Sequence, residues 1–470
     1  MEKQKIKKIG AGIAAVILAV MISVITPPEG LTHQSMVTLG LFVGAIVLWG
    51  FSVFPFFVTA LLLNVLLVLT KAAAFETAFA GIMNSSWWLL LGAMGISAAL
   101  KKTGIMKRFS YHILKLFPAG FTGQVLAVSA AGLITNPFIP SVNAKVAMLM
   151  PMVKGLSDTL GYQNRSRGTH GLWSAAYGSI VVGSIGFATA NLFSVAGMGM
   201  LPQETQNSFG WFTWVIASFP WVILLFIAMV AFSLILYRPK DEKSSGMSRD
   251  FIREELKKMG KMTSGEKISV AVLAGCVVLW AFENVIGVPS NMTALGGMLI
   301  LMITGTIDVK DFKNGIPWDM LLMIAALLGL GGVFSETGVN TFITNVFAPM
   351  LQNISGNPFL FVALICVMIY IIRFILINQL MLLTIFIPLL VPFAQSAGIS
   401  PWIVLFVLLT ASSSWQQLYM SNFALVGFAA YGGESVLDYN QLAKLSWVYM
   451  AVNFVALLLM VPYWMMIGLI

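Results

Sequence analysis

Polar side chains that interrupt long apolar stretches are the residues of this chain that could do chemistry. In the stretch 120–155, Pro140 suits a break in a helix, and Ser141 suits the N-cap of the helix that follows. Asn143 and Lys145 follow within about one turn. A helix that begins here directs free N–H groups and the positive end of its dipole at the break. The pattern predicts either a binding site in which Ser141 and Asn143 contact an anion or a cation, or a capped turn without a ligand.

Lys145 places an ammonium group inside this apolar stretch. It lies one helical turn after Ser141, so both side chains share a helix face. A buried charge is costly unless it meets water, an anion or an acid. Two interpretations therefore stay open: Lys145 supplies a fixed positive charge to an anion site, or it pairs with an acid or extends to the aqueous interface.

A second interrupted stretch, 354–396, carries Arg373, Asn378 and Gln379. Arginine can hold a carboxylate through two parallel hydrogen bonds, and side-chain amides both donate and accept. Arg373 is therefore either an anchor for a dianion or a structural residue that binds carbonyl groups or a nearby acid.

Two further apolar stretches, 169–199 and 401–431, contain polar breaks of their own. Polar residues at such depths are candidates for function or for hydrogen bonds between helices. The complete set of predicted substrate-binding residues is Ser141, Asn143, Lys145, Thr189, Asn191, Arg373, Asn378, Gln379, Ser421 and Asn422.

The composition explains what must position these residues. The chain has 470 residues, of which 59% are hydrophobic and 10% are charged, whereas soluble proteins carry roughly 25% charged residues. There is too little polar surface for a soluble enzyme or a nucleic-acid-binding protein. We therefore predict an all-α integral membrane protein.

A helix needs about 20 mostly apolar residues to span a bilayer. Eleven segments are predicted to do so, near 9–27, 36–52, 55–73, 85–100, 169–199, 211–237, 267–285, 291–306, 316–335, 401–431 and 444–469. The stretches 120–155 and 354–396 are too long for one span and are broken near their centres. We predict that they form re-entrant hairpins, because broken backbone at membrane depth must face protein or a water-filled cavity.

The basic residues predict the orientation. With the N-terminus in the cytoplasm and alternating spans, every one of the 27 Lys and Arg residues except Lys71, Lys145 and Arg373 falls on the cytoplasmic side. The net charge of +9 is then a consequence of topology, and no nucleic-acid partner is expected. We predict a multi-pass protein of the inner (plasma) membrane, in contact with membrane lipid, with its C-terminus outside.

The two halves of the chain resemble each other. Thr103-Gly104 and Thr337-Gly338 are 234 residues apart, Pro151 and Pro388 are 237 apart, and Asn191 and Asn422 are 231 apart. The predicted spans that end at Thr103 and Thr337 run in opposite directions. Inverted repeats of this kind are typical of secondary transporters, which bind substrate near the midplane between discontinuous helices.

At these motifs the chain resembles the divalent anion/sodium symporter (DASS) family of the ion transporter superfamily. The similarity is best in WWLLLGAMGISAALKKTG, FIREELKKMGKMTSGEKISVAVLAG and IDVKDFKNGIPWDMLLMIAALL. The resemblance implies transport of di- or tricarboxylates or sulfate, usually with sodium. It also implies an elevator-type transport domain that moves against a scaffold domain, which holds the contact of a homodimer.

The chain departs from the family at the hairpin tips. The family carries a Ser-Asn-Thr motif there, whereas this chain has Ser141-Val142-Asn143 and Asn378-Gln379-Leu380. The resemblance implies that Ser141, Asn143 and Asn378 could bind sodium, the one candidate cofactor. Sodium symport and sodium-independent exchange both stay open, and in the second case Lys145 would replace one coupling cation.

The predicted domain organisation alternates between the two units. Scaffold segments are predicted at 1–84, at 200–315 with a cytoplasmic linker at 238–267, and at 432–470. The two halves of the transport domain are predicted at 85–199 and 316–431.

We predict a secondary active transporter of small anions, most consistent with di- or tricarboxylates, and not an enzyme. A cation/proton or metalloid antiporter of the same superfamily is the alternative. It would need a titratable acid in a broken helix, and 178–192 and 412–426 contain no Asp or Glu. A membrane enzyme or receptor would need a catalytic set or a soluble domain, and the longest polar segment is the linker.

Overall fold

The computed structural model describes residues 2–239, 247–342 and 356–470. Residue 1, residues 240–246 of the predicted linker and residues 343–355, where the second hairpin is predicted to begin, lie outside the described residues. All regular secondary structure in the described part is helical, without strands, which confirms the all-α prediction.

The first half contains twelve α-helices between residues 2 and 239. Their bounds are α1 Glu2–Val24, α2 His33–Gly50, α3 Phe56–Leu69, α4 Phe75–Ala78, α5 Ser85–Thr103, α6 Ile105–Lys115, α7 Phe121–Ile134, α8 Val142–Thr159, α9 Arg167–Gly186, α10 Leu192–Gly199, α11 Gln203–Ser208 and α12 Trp211–Tyr237.

The second half continues from residue 247 within the described ranges. Its α-helices are α13 Met247–Lys258, α14 Ser264–Ala281, α15 Glu283–Ile286, α16 Ser290–Ile303, α17 Val309–Gly315, α18 Trp318–Leu328, α19 Leu330–Glu336, α20 Pro358–Ile372, α21 Gln379–Ser396, α22 Pro401–Ser412, α23 Asn422–Tyr431 and α24 Tyr439–Met466. Short 3₁₀ helices in the described residues occupy Ala80–Met83, Asn136–Phe138, Ala188–Ala190, Leu418–Met420 and Gly433–Ser435.

Seven helices of the described part are long and apolar enough to cross a membrane, or eight if α5 and α6, which bend by 70° at their junction, form one span. Several predicted spans correspond to shorter apolar helices, such as α3 and α16 with 14 residues each. The protein is therefore a multi-pass membrane protein, and the count of eleven spans stays a prediction.

The breaks predicted from the polar interruptions are present in both halves. Helices α7 and α8 are separated by the 3₁₀ turn Asn136–Phe138, and α20 and α21 by residues 373–378. The later stretches are also broken, between α9 and α10 and between α22 and α23. Each half thus contains the same elements in the same order.

The register of the repeat differs by one residue from the predicted one. Asn191 is the N-cap of α10, and Ser421 is the N-cap of α23. The counterpart of Asn191 is therefore Ser421, and the pairing of Asn191 with Asn422 was wrong. Both asparagines follow a 3₁₀ turn, but only the residue that caps the helix occupies the equivalent position.

Packing divides the helices into two groups. Helix α12 lies along α9 and α24, α7 lies along α9, and α8 lies against α23. Trp214 Nε1 donates to Ile185 O over 2.9 Å, and Trp464 Nε1 donates to Ala217 O over 3.0 Å. We call α7–α10, α12 and α20–α24 the hairpin group.

The second set, which we call the frame group, contains α1–α3, α5, α14, α16 and α18. Within it α1 lies against α2, α3 against α18, and α5 against α16. At Gly92, an added Cβ would lie 2.5 Å from the backbone carbon of Ala294, so the absence of a side chain lets α5 and α16 approach closely. The predicted domain boundaries stay a prediction, but the packing places 85–103 in the frame group and both 211–237 and 439–466 in the hairpin group.

The linker helix α13 packs against α6 and α8. Arg108 of α6 is 7% exposed and Glu266 of α14 is 2% exposed. Arg108 Nε donates to Glu266 Oε1 over 2.8 Å, and its Nη1 donates to Gly260 O over 2.8 Å. This buried ion pair joins the linker and the start of α14 to α6.

Candidate functional site

A cavity of about 430 Å³ lies where the hairpin and frame groups meet. Frame residues Trp49, Phe56 and Met320 line one side. Six of the ten predicted substrate-binding residues line it as well, namely Asn143, Arg373, Asn378, Gln379, Ser421 and Asn422. We call this the central cavity.

Helix N-termini converge on the breaks. Asn378 accepts from Met381 N over 3.0 Å and caps α21, while Ser421 accepts from Ala424 N over 3.2 Å and caps α23. Ser141 accepts from Ala144 N over 3.3 Å and is the predicted N-cap of α8. A helix N-terminus carries roughly half a positive charge, so α21 and α23 present positive potential to the central cavity.

Arg373 is 3% exposed and donates to backbone carbonyls. Its Nε donates to Ser412 O over 2.7 Å, its Nη1 donates to Leu376 O over 3.1 Å and to Ile377 O, and its Nη2 donates to Met420 O. A guanidinium has five N–H donors, so these four bonds leave one N–H for the cavity. In this arrangement Arg373 has too few free donors for a two-point grip on a carboxylate.

Lys145 is completely buried. Its Nζ donates to Asn136 Oδ1 at the hairpin tip and to Ala190 O over 2.7 Å. No carboxylate of the described residues forms an ion pair with Lys145 or Arg373. Two buried cations with neutral partners therefore lie at the centre of the protein.

These two cations occupy related positions. Ala190 and Met420 are the last residues of the 3₁₀ turns Ala188–Ala190 and Leu418–Met420. Lys145 binds the carbonyl of the first, and Arg373 binds the carbonyl of the second. Each half of the chain thus uses one basic side chain to join its hairpin to its broken helix.

Four predicted residues do not line the central cavity: Ser141, Lys145, Thr189 and Asn191. Thr189 lines a second cavity of about 550 Å³, where Trp211 Nε1 donates to Thr189 Oγ1 over 3.0 Å. Asn191 uses its side chain to cap α10.

A sodium site at Ser141, Asn143 and Asn378 stays a prediction. Asn143 and Asn378 line the central cavity and Ser141 does not. Asn143 Oδ1 is buried without a hydrogen-bond partner in the described part of the chain, so it offers a free acceptor. The described residues contain no group of three or more His, Cys, Asp or Glu side chains that could hold a metal ion.

Sequence reasoning missed Tyr177, Ser412 and Ser413. Tyr177 is buried in α9, and its hydroxyl lies 3.1 Å from Ser421 Oγ. Ser412 and Ser413 line the central cavity. A tyrosine or serine inside an apolar helix gives no sequence signal of this kind, because the same residues commonly bond to the backbone of their own helix.

The chain is similar to known transporters along most of its length. A family model described as "Sodium:sulfate symporter transmembrane region" matches residues 6–470. A "Dicarboxylate transporter 1, chloroplastic" of Spinacia oleracea is 29% identical over 341 residues, which cover 71% of this chain and 59% of the relative. A "Putative malate transporter YflS" of Bacillus subtilis is 25% identical over 75% of this chain and 74% of its own length. An "L-tartrate/succinate antiporter" of Escherichia coli is 24% identical over 64% of this chain and 63% of its own length.

The match spans about three fifths of the length of the chloroplast relative. Among solved structures, the YdaH transporter of Alcanivorax borkumensis has a similar fold. The TM-score is 0.56 at 13% identity, and the match covers 84% of this chain and 88% of that one.

Proposed function

Since the chain belongs to the sodium:sulfate symporter family, also known as the divalent anion/sodium symporters, we propose that it is a secondary active transporter of small di- or tricarboxylate anions. The relatives named as dicarboxylate, malate and tartrate/succinate transporters support this substrate class.

The observation that carries the proposal is the charge of the central cavity. Its lining combines the N-termini of α21 and α23 with the guanidinium of Arg373, and it contains no Asp or Glu. Preorganised N–H donors and positive charge stabilise an anion in a site shielded from water. The absence of an acid in the lining disfavours the alternative cation/proton antiporter, which would need a titratable carboxylate.

We propose sodium-independent exchange as the coupling mode, with sodium symport as the alternative. Lys145 and Arg373 bind the carbonyls of Ala190 and Met420, and carbonyl oxygens at unwound breaks are where transporters bind coupling cations. Fixed cations at both positions would supply the positive charge that bound sodium supplies elsewhere.

The two cavities support alternating access. Ser86 and Thr189 line the second cavity, and Met320 and Tyr419, at offsets of 234 and 230 residues, line the central cavity. The cavities thus lie at equivalent places in the two halves. We propose that the hairpin group moves against the frame group in an elevator-type motion; the homodimer and the inner-membrane orientation are part of the proposal.

Binding can be tested by thermal unfolding of the purified protein. A ligand that binds only the folded state stabilises it by about 2.7 kcal/mol at one hundred times its Kd. We expect succinate, malate or citrate to raise the melting temperature by a few degrees in choline buffer, with chloride at the same ionic strength as the control. If no carboxylate shifts the melting temperature in either sodium or choline, the proposed substrate class is wrong.

A further inference from the structure

Gln379 is the first residue of α21 and lines the central cavity with only 6% of its surface exposed. Its Nε2 donates to Ser412 Oγ over 2.7 Å and to Ser413 Oγ over 3.3 Å. The amide is therefore held by the end of α22, the first part of the second broken helix.

The serine hydroxyls determine which end of the amide faces them. Ser412 Oγ donates to Leu409 O over 3.3 Å, and Ser413 Oγ donates to the same carbonyl over 2.8 Å. A hydroxyl has a single proton, so both serines can only accept from Gln379. The amide nitrogen must face the serines, and the amide oxygen must point away from them.

The amide oxygen is thus a fixed acceptor in an anion site. Gln379 Oε1 has no hydrogen-bond partner among the described residues and is not one of the enclosed, unpartnered oxygens. Because Gln379 lines the central cavity, this oxygen is the part of the side chain left for a ligand. A carboxylate only accepts hydrogen bonds, so the two carboxylates of a dianion have no use for it.

This arrangement exists in one half of the chain only. At the offsets of 237 and 230 residues, the counterparts of Gln379, Ser412 and Ser413 are Val142, Val182 and Gly183. None of these has a polar side chain. The cluster is therefore not required by the repeated architecture.

Local unwinding creates the cluster. Helix α9 ends two residues before its 3₁₀ turn, whereas α22 ends at Ser412, about one turn earlier relative to the turn Leu418–Met420. The freed backbone is held by α24, where Ser446 Oγ accepts from Trp415 N and Tyr439 OH donates to Trp415 O, each over 2.7 Å.

We infer that Gln379, oriented by Ser412 and Ser413, accepts a hydrogen bond from the hydroxyl of the substrate, and that the substrate is a 2-hydroxydicarboxylate of the malate type. This inference rests on the proposed function and specifies its substrate. A site built to bind a hydroxyl discriminates against the analogue that lacks it, because a polar group of the site is then left unpaired.

L-malate and succinate are the matched probes, since both are C4 dianions and differ by one hydroxyl. Equilibrium binding to the purified full-length protein should be at least about tenfold tighter for malate, the effect of one hydrogen bond to a site that cannot satisfy itself otherwise. In Gln379→Met, and in the double variant Ser412→Ala/Ser413→Ala, the ratio of the two affinities should fall to within about twofold of one.

Thr384→Val is the control for loss of a hydroxyl from the same helix. Thr384 Oγ1 donates to Leu380 O of its own helix over 2.9 Å and does not line the central cavity, so the wild-type ratio should persist. Equal binding of malate and succinate by the wild type overturns the inference and leaves the proposed function in place, as does a wild-type ratio in folded Gln379→Met. Binding of neither dianion overturns both.

Discussion

Lys145 and Arg373 show at the scale of single residues how a buried charge can be satisfied without an acid. Each donates to a carbonyl at the end of a 3₁₀ turn, and Lys145 also binds an amide oxygen. Neutral acceptors disperse the charge without cancelling it, so positive potential remains for an anion.

Lys145→Met removes the ammonium and leaves Asn136 Oδ1 and Ala190 O without their donor. Unpaired buried acceptors cost about 1–3 kcal/mol each, so the melting temperature should fall in choline chloride. If the ammonium replaces a coupling cation, sodium chloride should restore part of the loss in the variant and have no such effect on the wild type.

The control for this variant is Lys154→Met on the same helix. Lys154 pairs with Asp158 at an exposed position, so its loss should change stability little in either salt. Equal melting temperatures of Lys145→Met in sodium and choline would refute the replacement of a cation by Lys145.

At residue level the sequence predicts which side chains interrupt the apolar stretches but not their partners. Ser141 was predicted as an N-cap and is one, because capping depends on neighbours along the chain. The contacts of Lys145 with Ala190 and of Arg373 with Met420 join residues more than 40 positions apart. Such contacts depend on how the broken helices pack, which no local pattern encodes.

At the scale of elements, the buried pair of Arg108 and Glu266 fastens α6 to the start of α14. Glu266 also accepts from Thr263 N over 2.7 Å and so completes a capping box at the start of α14. Glutamine can keep this capping role, so Glu266→Gln removes the charge and little else.

We expect Glu266→Gln to lower the free energy of unfolding by about 3 kcal/mol, because the charge of Arg108 is then buried without its partner. Thermal unfolding measures the effect. Asp311→Asn is the matched control, since it removes the pair with Lys102, whose side chain is 40% exposed, and exposed pairs contribute little. Equal melting temperatures of the two variants would show that the Arg108–Glu266 pair does not hold these helices together.

Helix breaks were predictable at this scale, whereas helix grouping was not. Proline and capping residues mark the breaks. Helix α12 is apolar on all sides, so its sequence carries no signal of which face contacts which neighbour. Its packing along α9 and α24 became evident only in the structure.

At the scale of the whole molecule, the proposal requires the hairpin group to move against the frame group. Helices α10 and α5 meet at their boundary, where an added Cβ on Gly199 would lie 3.0 Å from Ser86 Cβ. A disulfide in Ser86→Cys/Gly199→Cys should therefore form with a small adjustment. The native Cys276 and Cys366 are buried and should not compete for it.

We expect this disulfide to stop transport in proteoliposomes and a reductant to restore it. Gly44→Cys/Ala19→Cys is the control within the frame group, since an added Cβ on Gly44 would lie 3.3 Å from Ala19 Cβ. Its disulfide should leave transport intact. Full transport by the oxidised Ser86/Gly199 pair would exclude motion at this boundary.

Exchange of a labelled substrate tests the central claim most directly, because it needs both an anion site and alternating access. Labelled L-malate should accumulate in proteoliposomes that are loaded with unlabelled L-malate in sodium-free choline buffer, and it should not accumulate in empty ones. If loaded proteoliposomes take up no label in either choline or sodium buffer, this protein does not carry dicarboxylates as proposed.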